Sequence, residues 1–239
     1  MRNLVLAGVV GILLAGAPAV APAQQQSGVD TELVLNSEGF LRAHPDLQNR
    51  HRGMEAYEDG RHEEALTYFR RAARYADKPS QAMVGEMLWK GEGGAPDPAL
   101  AYAWMDLAAE RGYPGFTIIR ERYWTQLDEA RRREAVARGE EIYAEYGDAV
   151  AQPRMASVLR RERRRVTGSR TGFVGALEIH IPGPGGVTHT ISGDRYYDRK
   201  FWDPELYQAW HDAVWMEPRE GRVSIGEVEP MRRDAPDDD

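Results

Sequence analysis

Small and apolar residues recur at a fixed offset through the first two thirds of the chain. Three alanine pairs stand 36 residues apart: Ala65 with Ala72, Ala101 with Ala108, and Ala137 with Ala144. Around the first two pairs the small and aromatic residues are spaced three or four apart, which is the pattern of an amphipathic helix. A repeat of this length predicts stacked helical units that bury a shared core and present an extended surface.

The second unit has the clearest helix boundaries. Ser80 is placed to cap a helix, and the glycine-rich stretch 91–94 breaks it. Asp97 and Pro98 start the next helix as N-cap and first-turn proline. Gly112 stands where the end of that helix needs a left-handed residue.

The other two units are less regular. Trp104 fills the space beside the small residues of the second unit, whereas Glu140 occupies the equivalent position in the third. A polar residue at a core position is typical of a terminal capping unit. Thr125 with Asp128 is the expected capping box for the helix of that unit.

The stretch 82–112 resembles a Sel-one-like repeat, a member of the tetratricopeptide-like helical repeats. The matching positions are Gly85, Gly91, Gly93, Asp97, Ala101, Trp104, Ala108, Ala109 and Gly112. Leu88 and Gly94 depart from the pattern, which usually has tyrosine and valine there. The resemblance implies a mainly α protein, with a short α-α solenoid of about three helix pairs over residues 46–166. It also implies an adaptor role in a multiprotein assembly or at the bacterial envelope.

Beyond residue 167 the pattern changes from helical to alternating. Apolar and polar residues alternate over 173–181 and 187–191, on either side of a glycine- and proline-rich turn. This arrangement predicts a β-hairpin. A short strand is predicted over 222–225. We therefore expect a small α+β module over residues 167–229, packed on the last repeat helices.

One well-capped helix is predicted inside this module. Asp203 and Pro204 supply its N-cap and first-turn proline. Its predicted buried face consists of Leu206, Trp210, Ala213 and Val214. After the module, residues 230–239 are predicted to form an acidic disordered tail.

The N-terminus has the residue order of a secretory signal peptide. Arg2 precedes an apolar stretch at 4–14 and a small-residue run that ends at Ala23. We predict a signal peptide over residues 1–23, cleavage near Ala23, and a periplasmic or secreted protein with no integral membrane span in its mature chain. A membrane anchor is the alternative, but glycines interrupt the stretch and no basic residues follow it. Residues 24–45 are polar and aperiodic, which predicts a tether.

Composition excludes several function classes. The chain has no cysteine, so it has no disulfide, thiolate metal site or cysteine nucleophile. Its formal net charge of −7 argues against nucleic acid as a partner. The arginines within residues 160–165 are interpreted as a solvated last helical turn, with an anion-binding patch as the alternative.

The sequence contains no recognised catalytic, phosphate-binding or metal-binding motif, so we expect no catalytic residue and no cofactor. His180 and His189 lie on the two predicted strands, and a suitable register would bring them together as a metal or catalytic pair. Solvated histidines are the simpler interpretation. Trp202 and Trp210 belong to an aromatic cluster that forms either a small core or a recognition surface. These four residues make up a speculative surface site.

The leading hypothesis is an exported, non-enzymatic protein whose repeats bind a protein or peptide partner of unknown identity. The alternative is a hydrolase-like unit or a carbohydrate- or peptidoglycan-binding unit in the C-terminal module, with the repeats as its docking platform. A purely structural envelope protein is a third possibility. Fold alone identifies no partner.

Overall fold

The computed structural model describes residues 31–165 and 177–217. The predicted signal peptide, the strand at 222–225 and the acidic tail lie outside these residues. The chain divides into two compact units. Of the described residues, the larger unit contains 41–165 and 198–217, and the smaller contains 31–40 and 177–197.

The larger unit is built from helices that pack against one another. Its helices are α3 (Pro45–Glu58), α4 (His62–Ala73), α5 (Lys78–Lys90), α6 (Pro98–Ala108), α7 (Pro114–Gln126), α8 (Glu129–Tyr146), α9 (Asp148–Arg165), α11 (Arg199–Trp202) and α12 (Pro204–Met216), with a 3₁₀ turn at Ala109–Arg111. Each of α3 to α6 packs against the next, α6 contacts both α7 and α8, and α11 and α12 pack on α9. The predicted α-α solenoid is confirmed. None of the described helices is long and apolar enough to cross a membrane.

The first two alanine pairs form the contacts between repeat helices. Ala65, Ala72, Ala101 and Ala108 are all fully buried. Trp104, 2% exposed, packs with the aromatic and aliphatic side chains of the first unit. Small residues let neighbouring helices approach closely, while the indole fills the space beside them.

The predicted role of the third alanine pair as buried helix contacts is wrong, because Ala137 and Ala144 are exposed. The buried residues of α8 are Ala135 and Gly139 instead. Only Leu127 and Asp128 separate α7 from α8, whereas seven residues separate α5 from α6. The shorter connection moves the inward positions of the third unit off the 36-residue step.

Two helix caps also differ from the prediction. Asp77, and not Ser80, caps α5, with its Oδ2 accepting from the Ser80 backbone N–H at 3.1 Å. Asp128 caps α8, while the Thr125 hydroxyl donates to the Arg122 carbonyl inside α7. In both cases a carboxylate just before the helix accepts the free backbone N–H groups.

The predicted caps of α6 are confirmed. Asp97 Oδ1 accepts from the Leu100 backbone N–H at 3.0 Å, and Pro98 occupies the first turn. Gly112 has a φ of 72°, in the left-handed region, and ends the 3₁₀ turn that follows α6. A residue with a Cβ atom is disfavoured in that conformation.

The predicted tether is wrong for much of residues 24–45. Residues 31–36 form a helical segment, α1, and Glu38–Ala43 form α2. Val34 is 1% exposed and Phe40 is fully buried. The smaller unit orders this segment because these apolar side chains are buried in it, and Phe40 meets the Tyr196 ring edge-on at 6.2 Å.

The smaller unit also contains the predicted hairpin. Strands β1 (Glu178–Pro182) and β2 (Thr188–Ser192) pair antiparallel, and the short helix α10 (Gly193–Tyr196) follows them. The boundary between the compact units falls after residue 197. The expected module at 167–229 is therefore divided: the hairpin groups with residues 31–40, and α11 and α12 group with the repeats.

Helix α12 begins as predicted but buries a different face. Asp203 Oδ1 accepts from the backbone N–H groups at its start. Leu206 is 40% exposed and Val214 is 46% exposed, so the predicted inward face lies largely at the surface. Tyr207 is the buried residue instead. The reason is a polar contact with α3, which the apolar pattern of α12 does not show.

Candidate functional site

A cavity of about 490 Å³ lies among the N-terminal ends of α3 and α5 and the facing sides of α9 and α12. Its apolar wall includes Met155 and Leu159 of α9, which pack against Tyr207. Its polar wall includes Asp46, Asp77, Tyr207, Gln208 and His211. A volume of this size fits a small molecule or a segment of a polypeptide.

Asp46 is a buried carboxylate in the first turn of α3, only 2% exposed. The Tyr207 hydroxyl donates to its Oδ2 at 2.7 Å. Its Oδ1 has no hydrogen-bond partner. Burial, assisted by the nearby Asp77 carboxylate, raises the pKa of Asp46 to about 7, although Tyr207 and Arg50 act in the opposite direction.

His211 lies beside this carboxylate on α12. Its Nε2 is 3.7 Å from Asp46 Oδ2, too far for a hydrogen bond, and has no partner of its own. Burial lowers the pKa of His211 well below 6.5, and the cationic Arg50 and Arg111 lower it further. The imidazole is therefore neutral near pH 7.

Asp77 differs from Asp46 because all of its charge is compensated. Arg50 donates to Asp77 Oδ1 at 2.8 Å, and Asp77 Oδ2 caps α5. These two carboxylates, which line the same cavity, therefore differ in their hydrogen-bond and ion-pair partners. Only Asp46 has an oxygen free to accept a further hydrogen bond.

A second polar network holds the other end of α12. The Tyr113 hydroxyl donates to Asp212, and Arg111 forms a two-point pair with Asp148 at 2.6 and 2.9 Å. Lys78, 1% exposed, donates to the Leu107 carbonyl at 3.0 Å and pairs with Asp148 at 3.1 Å. Burial alone would raise the pKa of Asp148, but Arg111 and Lys78 hold it below its usual value. Helix α12 is thus attached to the repeat helices at both ends.

The residues that carry the repeat pattern serve packing. A Cβ at Gly85 would lie 3.0 Å from the Ala101 carbonyl oxygen, so only glycine lets α5 approach α6 this closely. Gly93 has a φ of 86°, and a Cβ there would lie 2.9 Å from the His62 carbonyl oxygen. Gly91 is also left-handed, and Ala109 is 4% exposed. These positions build the repeat and offer little surface to a ligand.

The hairpin register separates the two candidate histidines. His180 pairs with Thr190, and its Nδ1 lies 3.1 Å from the Thr190 hydroxyl. His189 pairs with Ile181. Because paired residues share a face and neighbours along a strand alternate, the histidines occupy opposite faces of the hairpin.

The two candidate tryptophans belong to a packed cluster. Trp202 is 4% exposed, and its ring lies edge-on to His44 at 5.0 Å. Trp210 is half-buried and lies edge-on to Phe201 at 5.2 Å. Trp202 therefore presents no exposed ring face beside Trp210. The interpretation of this cluster as core is therefore the one that the geometry supports.

The cavity has the chemistry of a binding site more than that of a metal centre. Asp46 Oδ1 and His211 Nε2 are two buried polar atoms without a hydrogen-bond partner, and their residues line the cavity together with apolar residues of α9. Among the described residues, no group of three His, Cys, Asp or Glu side chains is placed to hold a metal ion. The arrangement suits a ligand that donates hydrogen bonds and has an apolar stem.

Comparison with known proteins agrees with the helical architecture. The larger unit is an α-α repeat solenoid, and residues 53–74 and 78–113 match the family model of the Sel1 repeat. These two segments of the chain are therefore similar to Sel1 repeats. Searches of curated proteins and of solved structures found no significant match. Sel1 repeats generally mediate protein–protein interaction.

Sequence reasoning missed the polar cavity because its members come from distant segments. Asp46 stands only at the start of the predicted repeat region, and His211 lies in a helix whose apolar face is predicted to point inward. The spacing of Tyr207 and His211, one helical turn apart, is the available signal. It shows that the two share a face of α12, but not that Asp46 lies opposite.

Proposed function

We propose that this protein is an exported, non-enzymatic adaptor that uses its Sel1-like repeats to bind a protein partner. The observation that carries the proposal is the pair of repeat matches at 53–74 and 78–113. Proteins with such repeats are typically adaptors or scaffolds and not catalysts. The packing role of the matching residues agrees with a scaffold that supports a separate contact surface.

The cavity beside α12 is the part of that surface we assign to the partner. It is concave, it has an apolar wall, and it adjoins the ends of several repeat helices. The exposed side chain of Arg160 also lines it. A polypeptide segment can enter here without disturbing Trp104 or the small residues of the repeat core.

Export is the second part of the proposal. It is supported by Arg2, the apolar stretch at 4–14 and the small-residue run that ends at Ala23. Expression in a Gram-negative bacterium, followed by fractionation and N-terminal sequencing, tests it. We expect a periplasmic or secreted chain that begins at Gln24. A cytoplasmic protein that retains Met1 contradicts export.

Site-specific photocrosslinking in cells tests the adaptor role. A photoreactive benzoylphenylalanine replaces Arg160 at the cavity and, as a matched control, the exposed Glu63 on α4. We expect one discrete protein adduct from position 160 and none from position 63. Adducts that are equal at both positions, or that contain only abundant proteins, contradict a specific partner.

A sugar-binding or hydrolytic role for the C-terminal segment receives no support from the geometry of its described residues, 177–217. Trp202 is buried, and the hairpin register places His180 and His189 on opposite faces. A sugar platform requires an exposed aromatic face. We therefore propose the adaptor role alone.

A further inference from the structure

Two unpartnered, buried polar atoms belong to residues that line the cavity beside α12. Asp46 is 98% buried, since its relative exposure is 2%, and its Oδ1 has no hydrogen-bond partner. His211 Nε2 is likewise without a partner. The two side chains are neighbours, with Nε2 3.7 Å from Asp46 Oδ2. Buried polar atoms are nearly always paired, so a site that leaves two of them together suits a ligand that supplies donors.

Both atoms can act as acceptors. A carboxylate oxygen accepts hydrogen bonds, and Nε2 of a neutral imidazole accepts when the proton is on Nδ1. An anion is disfavoured because, with Asp77 already paired with Arg50, the carboxylates of Asp46 and Glu205 line the cavity against the guanidinium of Arg160. A hydroxyl or an amide can donate to Asp46, but only a cation also compensates the charge of its ionised form.

The remaining wall suits an alkyl chain. Pro153, Met155, Ala156 and Leu159 of α9 and Pro204 of α12 line the cavity. Side chains that carry an ammonium pack their methylene stem along such apolar surface while the head reaches polar atoms. A volume of about 490 Å³ leaves room for one stem of this length.

We propose that this cavity binds an alkylammonium group of a polypeptide, which donates hydrogen bonds to Asp46 Oδ1 and His211 Nε2. The ammonium belongs either to a lysine side chain or to a free N-terminus, which share this chemistry. The assignment to a polypeptide rests on the proposed adaptor function. The ammonium site itself can be tested without any partner.

Calorimetric titration of the purified mature chain tests the site. One probe is N-acetyl-lysine methylamide, which carries only the side-chain ammonium, and a second is alanine methylamide, which carries only the α-ammonium. N-acetyl-norleucine methylamide is the matched uncharged control. We expect at least one ammonium probe to bind and the norleucine probe to bind roughly 10- to 100-fold more weakly. The stronger of the two ammonium probes identifies the source.

Two variants locate the binding. Asp46→Asn keeps the shape of the side chain and removes its charge. We expect this variant to bind the ammonium probe roughly 10- to 100-fold more weakly than the wild type. His211→Gln is expected to reduce the affinity for the same probe by a smaller factor. Glu63→Gln, on the exposed face of α4, is the matched control and should bind as the wild type does. Circular dichroism melts confirm that each variant is folded.

The outcomes separate this inference from the adaptor proposal. The inference is overturned if the norleucine probe binds equally well, if Asp46→Asn binds like the wild type, or if neither amine binds at about 10 mM. A partner adduct at position 160 that survives Asp46→Asn overturns the assignment of the ammonium to that partner, while leaving the adaptor role intact. Amine binding without any partner adduct has the opposite meaning: the ammonium site stands and the adaptor role fails.

Discussion

Asp46 and His211 make opposite contributions to the pH dependence of folding stability. The pKa of Asp46 is raised from 3.8 to about 7, so the folded chain holds a proton that the unfolded chain loses, and stability falls as pH rises between these values. The pKa of His211 is lowered below 6.5, so the unfolded chain takes up a proton that the folded chain cannot, and stability falls as pH drops below 6.5. Between pH 4 and 6.5 the two effects oppose each other.

Single variants at these positions should reveal the two contributions. Urea unfolding of Asp46→Asn should show stability that rises with pH up to about 6.5, because only the His211 effect remains. His211→Gln should show stability that falls as pH rises toward about 7. The wild type should vary less than either variant over this range. Identical pH profiles for all three chains would show that neither side chain has a shifted pKa.

Ala108 and Ala137 provide a matched test of the repeat packing. Ala108→Leu adds volume to a fully buried helix contact and should destabilise the chain by about 1–3 kcal/mol. Ala137→Leu places the same side chain on the exposed face of α8 and should change stability by less than about 0.5 kcal/mol. Urea unfolding at fixed pH measures both. Equal losses would mean that Ala137 is a core position after all.

At the scale of single residues, the sequence predicts which side chains pack in the repeat core better than it predicts which side chains form the polar cavity. Ala101, Trp104 and Gly112 behave as expected because a repeat pattern reports local helix contacts. Ala137 does not, because a shorter connection shifts the third unit. Asp46 and His211 come together only through the tertiary fold, and no local spacing encodes their contact.

At the scale of the element, the start of α5 depends on one carboxylate. Asp77→Ala removes the cap of α5 and leaves Arg50 without its partner. We therefore expect the free energy of unfolding to fall by about 2 kcal/mol or more. Ser80→Ala removes a buried hydroxyl oxygen that has no hydrogen-bond partner, so its effect should stay within about 0.5 kcal/mol. Denaturant unfolding of the two variants distinguishes the caps. A larger loss for Ser80→Ala would contradict the observed cap.

Helix α12 shows why helix existence is easier to predict than helix orientation. Asp203 and Pro204 define its start by local capping, which the sequence displays. Its inward face is selected by hydrogen bonds from Tyr207 to Asp46 and from Tyr113 to Asp212. Because these partners lie in distant helices, the apolar face of α12 alone indicated the wrong orientation.

At the scale of the whole molecule, compactness and composition divide the chain differently. Composition changes near residue 167, where alanine- and arginine-rich helices give way to glycine- and β-branched-rich sequence. The compact units instead combine residues 31–40 with the hairpin, and α11 and α12 with the repeats. Units assembled from segments that are distant in sequence leave no boundary signal at a single position. The solenoid class could therefore be predicted, and the unit membership could not.

Ammonium binding should depend on pH through Asp46, because the ion pair requires an ionised carboxylate. The groups that face it are Arg50, Asp77, Tyr207 and His211, and of these His211 stays neutral near pH 7 while Arg50 and Asp77 pair with each other. With a pKa of about 7, Asp46 is ionised in roughly one chain in 100 at pH 5 and in most chains at pH 8.

The lysine probe keeps its proton over this whole range, so its apparent Kd at pH 5 should be up to roughly 100-fold weaker than at pH 8. Binding at pH 5 should also release about one proton per probe, and binding at pH 8 almost none. Calorimetry in two buffers with different ionisation enthalpies measures both quantities. Asp46→Asn should abolish the proton release, whereas Glu63→Gln should preserve it. A Kd for the wild type that is equal at the two pH values contradicts a role for the Asp46 carboxylate in holding the cation.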